Sequence, residues 1–282
     1  MPNAKDVTGL DRGYKILVLG NAGSGKTTQF GTLPGRKFAY LFDPNAILSL
    51  RGMDVDYEEW LPDRVPMKVV PLDRQSRSRA KSAPSQTLYA EWERDVEKKL
   101  KEGFFDQYDW IMFDSLTTFA DMVMDQVLAL QGKAGQWPER DDWAPQMMAI
   151  KSVVREFAAL GKNIYFTGHV EVRQDELTGR LLQTPVMTGR LKVMLPMLFS
   201  ELLYAEARTD PKSGEVSFVL QTKPDRMNPL IRTSIKGLPA FVDVTIDWRK
   251  PVEGQGLGGI LLAAQKGGRG VAGDVPNVAR SK

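Results

Sequence analysis

Gly20-Asn21-Ala22-Gly23-Ser24-Gly25-Lys26-Thr27 fits the spacing G-x-x-x-x-G-K-S/T, a pattern in which each residue type has a task in holding a polyphosphate. The glycines let the backbone curl so that its N–H groups, with the start of a following helix, point at phosphate oxygens. Lys26 is expected to reach the β- and γ-phosphates and the Thr27 hydroxyl to coordinate Mg²⁺, with Thr28 next to them in the binding loop. From average residue usage, a chance match in a chain of 282 residues is about a one per cent event. The metal also needs an acid at the end of a second strand. Asp114 closes the apolar run Trp110-Ile111-Met112-Phe113 and is the candidate for that place; capping a helix that begins near Thr117 is the alternative.

Such residues work only if buried strands deliver them to one edge. Tyr14–Gly20, Lys37–Asp43, Trp110–Asp114 and Asn163–Thr167 are short runs with apolar residues on both faces, the pattern of parallel strands covered on both sides. Between them lie helical stripes: Leu88, Trp92, Val96 and Leu100; Phe119, Met122, Val123, Val127 and Leu130; Met147, Ile150, Val154, Phe157 and Leu160, with Pro145 in a first turn. These stripes are packing surfaces and carry no chemistry. Glu201–Ala207, the turn Asp210–Gly214 and Val216–Gln221 predict a late antiparallel hairpin. Arg74–Gln86 is basic and without large apolar residues and predicts a mobile loop, and the Gly-rich sequence from Gly254 onward predicts a flexible tail. The expected division is therefore a nucleotide-binding domain over 1–248 and a basic tail over 249–282, and the fold class is α/β with a mostly parallel sheet flanked by helices.

Composition narrows the chemistry. Cys is absent and His169 is the one histidine, which excludes a disulfide framework, a catalytic thiol and Cys- or His-rich zinc sites. No apolar run approaches the roughly 20 residues that span a bilayer, and the first twelve residues lack a secretory core, so a cytoplasmic protein without a membrane partner is expected. The net charge is +3, and residues 249–282 hold six basic and two acidic side chains, leaving a nearly neutral body. That balance permits nucleic-acid contact through local patches without requiring it.

Two other phosphate-loop classes share part of the pattern. Thr222-Lys223-Pro224-Asp225 matches the N/T-K-x-D pattern by which GTPases read guanine, but Asp114-Ser115-Leu116-Thr117 lacks the switch glycine that goes with it. A small-molecule kinase would need an Arg-rich lid, for which Arg74–Lys81 is the one stretch on offer.

Over Tyr14–Val242 the chain resembles the RecA-like ATPases, most nearly the phage-encoded RecA-like nucleotide-binding proteins of single-strand annealing and recombination. The resemblance rests on the phosphate loop, Leu41-Phe42-Asp43-Pro44-Asn45, Phe113-Asp114-Ser115, Phe166-Thr167-Gly168-His169, and Thr222-Lys223 followed by Arg226 and Pro229. It implies ATP and Mg²⁺ as cofactors and self-association into a ring or filament. In that family a carboxylate after the second strand positions the attacking water; here Asp43 is the nearest acid, or simply ends a strand before Pro44, and Asn45 stands where the usual Glu would align, so the resemblance implies hydrolysis that is slow or depends on Asp43. His169 takes the place of the residue that senses the γ-phosphate, or is a hydrogen-bonded structural group. The segment Glu171–Lys192, with Arg173, Arg180, Arg190 and Lys192, takes the place of a loop that meets single-stranded DNA, although three acids dilute its charge, no aromatic is present, and a plain surface hairpin explains the same residues. Lys223 and Arg226 correspond to cations supplied across a subunit interface to a neighbour's ATP, or are surface charges before Pro229. The resulting expectation is an ATPase that switches single-stranded DNA binding with nucleotide state, against the alternative of a nucleotide-gated scaffold that hydrolyses poorly and does not touch DNA.

Overall fold

The computed structural model describes residues 13–62, 88–176 and 178–265. The basic stretch Arg74–Gln86 and residues 266–282 lie outside them. Strand β1 (Lys15–Gly20) leads through the glycine-rich loop into helix α1 (Lys26–Gly31), and β2 (Lys37–Leu41) follows. After β3 (Asp56–Glu59) come α2 (Leu88–Lys101), β4 (Trp110–Asp114), α3 (Leu116–Leu130), α4 (Trp143–Ala159) and β5 (Asn163–Gly168). The remaining elements are the hairpin β6 (Val170–Gln174) and β7 (Leu181–Pro185), α5 (Leu191–Met194), β8 (Glu201–Thr209), β9 (Val216–Gln221), β10 (Phe241–Asp243) and α6 (Gly256–Gln265).

Eight strands form one sheet in the order β10-β9-β8-β1-β5-β4-β2-β3. Every pairing from β8 to β3 is parallel, and β9 and β10 add antiparallel neighbours at the other edge. The four apolar runs of the sequence are thus the adjacent central strands. Their alternation sorts side chains between two layers: Leu17, Leu19, Phe38, Tyr40, Phe113 and Phe166 pack under α2, α3 and α4, whereas Ile16, Val18, Ala39, Met112 and Tyr165 face α1 and α6. This is the expected α/β core, a mostly parallel sheet flanked by helices, with β5 inserted between the strand that enters the phosphate loop and the strand that ends in Asp114. The predicted hairpin is present, and its first strand β8 also pairs in parallel with β1. A separate two-stranded sheet, β6–β7, stands off the end of β5.

One expectation is corrected. Residues 256–265, assigned to a flexible tail on their glycine content, are a helix that buries Leu257, Ile260 and Leu261 against the α1 layer. Glycine normally weakens a helix by about 1 kcal/mol, but here it permits contact: a Cβ on Gly258 would lie 1.8 Å from the Thr32 carbonyl oxygen. The Gly258 N–H donates to Thr32 Oγ1 at 3.0 Å, and the Leu257 N–H donates to Gln29 Oε1 at 2.9 Å.

Candidate nucleotide site

All parallel strands end on the same edge, so Gly20, Asp43, Asp114 and His169 arrive together at the carboxyl ends, where α/β sheets bind ligands. The loop between β1 and α1 turns through Gly25 at φ +84°, a left-handed conformation that favours glycine. Ser24 Oγ donates to the Asn21 carbonyl at 2.8 Å and tightens the turn. Lys26 folds back over the loop, its Nζ donating to the carbonyls of Gly20 at 3.0 Å and Asn21 at 2.7 Å. Burial holds this ammonium below the usual lysine range, with Asp114 and Asp43 pulling in the other direction. Tyr165, wholly buried on β5, donates its hydroxyl to the Lys26 carbonyl at 2.7 Å and fixes the start of α1 from beneath.

Thr27 Oγ1 donates to Asp114 Oδ2 at 2.8 Å, and Thr167 Oγ1 donates to Oδ1 of the same carboxylate. Burial raises the Asp114 pKa, and the two hydroxyl hydrogen bonds work against that rise. A carboxylate and a hydroxyl in contact form a hard oxygen pair, which suits Mg²⁺, a cation that takes its remaining oxygens from phosphates and water. Among the described residues no group of three His, Asp or Glu could hold a metal alone, so the pair fits a metal that arrives with its nucleotide. Ser115, not Asp114, caps α3, accepting from the Thr118 N–H.

Asp43 occupies the gap between β2, α3 and β5. Its Oδ1 accepts from Ser115 Oγ at 2.9 Å and from Thr118 Oγ1, and its Oδ2 lies 3.3 Å from His169 Nε2. Burial would raise this carboxyl, but the hydrogen bonds from His169, Thr118 and Ser115 outweigh it and hold Asp43 below the usual carboxylate range. The Phe42 and Asp43 N–H groups both donate to the Asp114 carbonyl, tying the ends of β2 and β4 together. Asn45 is exposed, at φ +65°, and begins a short 3-10 turn over Ala46–Leu50.

His169 connects this cluster to the hairpin. Its N–H donates to Thr117 Oγ1 at 3.1 Å, and its carbonyl accepts from the Val186 N–H at 2.9 Å, just past β7. Of the four predicted cations, Arg173 and Lys192 both bond Glu171 Oε1, and burial of that acid is outweighed by the two cations, which hold its pKa down. Arg180 and Arg190 are exposed. Asp175 shapes the hairpin turn, accepting from the Thr178 and Gly179 N–H groups. A cleft of about 670 Å³ is lined by residues of α3, α4 and the hairpin segment, among them Trp143, Arg173 and Lys192 and the acids Asp121 and Glu171. The sequence segment has no aromatic of its own; the fold supplies one from α4.

Lys223 and Arg226 are not brought to their own phosphate loop. Antiparallel β9 leads the chain back past the level of Leu19, two strands from β1, and leaves both cations exposed. Asp225 of the guanine-like pattern is engaged locally: its Oδ1 accepts from the Met227 and Asn228 N–H groups. Sequence reasoning missed Gln29, which is buried and joins α1 to Val244 and Leu257 through both ends of its amide. Its position two residues past the loop threonine was the one available signal.

No curated protein matches the chain. Among solved structures, similar folds include the flagellar accessory protein FlaH from Methanocaldococcus jannaschii, with 13% identity, a TM-score of 0.39 and coverage of 84% of this chain and 87% of that one. A KaiC-like protein, PH0186, from Pyrococcus horikoshii OT3 has 13% identity, a TM-score of 0.40 and the same coverage, 84% and 87%. The sequence profile of a family described as "AAA domain" matches residues 12–229, which takes in the phosphate loop, Asp43, Asp114, His169 and the hairpin, and the chain belongs to that family.

Proposed function

We propose that the protein is a slow Mg²⁺-dependent ATPase whose nucleotide state is passed through Asp43 and His169 to the β6–β7 hairpin, where single-stranded DNA binds. The observation that carries this reading is the double attachment of His169: its ring meets Asp43 beside the phosphate loop, and its backbone holds the root of the hairpin through Thr117 and Val186. Thr27 and Asp114 are the groups that would hold Mg²⁺, which neutralises charge on the phosphate oxygens. Lys26 has three N–H donors, two of them on loop carbonyls, and the third suits a phosphate oxygen.

A carboxylate has about four acceptor positions, and three on Asp43 are taken by Ser115, Thr118 and His169. One position on Oδ2 is left to orient water, but a carboxyl held below its usual range is a weak proton acceptor. With Asn45 in place of a second acid, slow turnover follows, and nucleotide binding rather than hydrolysis sets the state of the hairpin. Trp143 for a base face and the Arg and Lys groups of the hairpin for phosphates support the choice of single-stranded DNA. Assembly into a ring or filament, with Lys223 and Arg226 serving a neighbour's nucleotide, and a place in phage-type annealing or recombination belong to the same proposal.

A scaffold that binds ATP without touching DNA is favoured by a different observation, the exposed apolar side chains Val172, Leu181, Val193 and Met197 in and beside the hairpin. Anisotropy of labelled oligo-dT separates the two. The proposal expects binding with a non-hydrolysable ATP analogue, little with ADP, and a fall with rising salt as counterions are released. No binding at low salt in either nucleotide state would leave the scaffold.

A further inference from the structure

Next to the phosphate loop lies a cavity of about 350 Å³ that the phosphate chemistry does not use. Gly25 and Thr28 form one side, Phe218 of β9 forms another, and Val244, Ile246 and Trp248 close it from the segment after β10. The contact with the loop is close, because a Cβ on Gly25 would lie 3.1 Å from the Phe218 ring. Trp248 is 63% exposed and Val216, at the rim, 50%. A large aromatic and a branched aliphatic left open beside a polyphosphate loop suit a flat apolar group attached to that polyphosphate.

The polar side chains of the lining are mostly engaged elsewhere. Gln29 Nε2 donates to the Val244 carbonyl at 2.8 Å, and its Oε1 accepts from Leu257. Thr245 Oγ1 accepts from the Phe218 N–H at 2.8 Å. Among the described residues the lining contains no carboxylate, the group that would accept from the N–H edge of guanine. What remains is the Thr28 hydroxyl, which donates or accepts equally, and the indole N–H of Trp248.

We infer that this slot holds the nucleobase of the bound triphosphate, stacked on Trp248, and that it accepts purines with little regard to the groups on their edges. The inference rests on the reading of residues 20–27 as a triphosphate loop and adds the base contact and its tolerance. Strong discrimination between bases comes from buried polar groups that one base satisfies and another leaves unpaired. A slot whose side-chain amide is already bonded to backbone offers stacking and apolar area, which every base supplies.

The test is calorimetric titration of the full chain with MgATP, MgGTP and the magnesium salt of inorganic triphosphate, repeated for Trp248→Ala and Trp248→Phe. The expected result is ATP and GTP affinities within about tenfold, a loss of about tenfold or more for both in Trp248→Ala, recovery of most of it in Trp248→Phe, and inorganic triphosphate unaffected by either change. A preference beyond tenfold for one purine, unchanged nucleotide affinity in Trp248→Ala, or equal weakening of inorganic triphosphate would overturn the inference while leaving the loop assignment standing. Failure of the unaltered chain to bind nucleotide or inorganic triphosphate would remove the loop assignment and this inference with it. Because Trp248 is largely exposed, a melting-temperature check suffices to show that the variants are folded.

Discussion

His169 Nε2 and Asp43 Oδ2 lie 3.3 Å apart across 126 positions of sequence, joining the exits of β2 and β5. The same aspartate holds the first turn of α3 through Ser115 and Thr118. Three elements that border the phosphate loop therefore share one carboxylate, and the hairpin hangs from the residue that completes the set.

Replacing His169 with Ala should leave ATP affinity within about threefold, since its ring contacts Asp43 and not the phosphate loop, yet reduce the nucleotide-dependent gain in oligo-dT affinity by about tenfold, in the range of an ordinary coupling energy. Parallel calorimetry and anisotropy on the same variant check both halves. Equal loss of both would assign His169 to binding and not to transmission.

Lys26→Ala should weaken nucleotide binding by about tenfold to a hundredfold, the range for losing a hydrogen bond to a charged group. Calorimetry with MgATP reads it directly. Wild-type affinity in this variant would contradict the phosphate-loop assignment.

Asp43 gives a pH-dependent stability with a definite sign. Its folded pKa lies below the unfolded value of about 3.9, so its contribution is complete above that value and is lost as pH falls through the lower folded one. The melting-temperature gap between the wild type and Asp43→Asn should accordingly be widest near neutrality and close below about pH 4. A gap that widens on acidification would reverse the assigned shift.

If Lys223 and Arg226 serve a neighbouring subunit, mixing Lys223→Ala chains with Lys26→Ala chains should restore part of the turnover that each lacks alone, because some interfaces then combine an intact loop with an intact cation. Strictly additive defects in the mixture would count against a role in trans for Lys223.

Gly258→Ala should destabilise the fold by about 1–3 kcal/mol or more, the cost of forcing a methyl into a packed contact, because its Cβ would fall 1.8 Å from the Thr32 carbonyl oxygen. A shift of the urea midpoint reads this. Gly254→Ala offers no such comparison, since φ there is +81°.

The central strands were legible because a strand buried on both faces must be apolar throughout, and the phosphate loop because its chemistry tolerates few residue types. Asp114 could be placed from sequence for the same reason: it ends such a strand. The network around Asp43 was not legible, since its members come from β2, α3 and β5, and only the strand order makes them neighbours. Two members sat in view as Ser115 and Thr118, one helical turn apart behind Asp114, but nothing local says which acid they serve. Helix α6 was misread because glycine signals a break by propensity, whereas Gly258 meets a requirement for space set by Thr32, a residue of the α1 end of the fold. Phe218 and Trp248 carried no signal at all: their relation to Gly25 exists only after β9 and the segment past β10 have closed on the loop.

The two ends of the Gln29 amide impose an order of events on synthesis. The loop residues emerge from the ribosome early, but the partners that hold Gln29, Val244 and Leu257, come 215 and 228 residues later. A growing chain thus displays its glycine motif long before the helix behind it is secured.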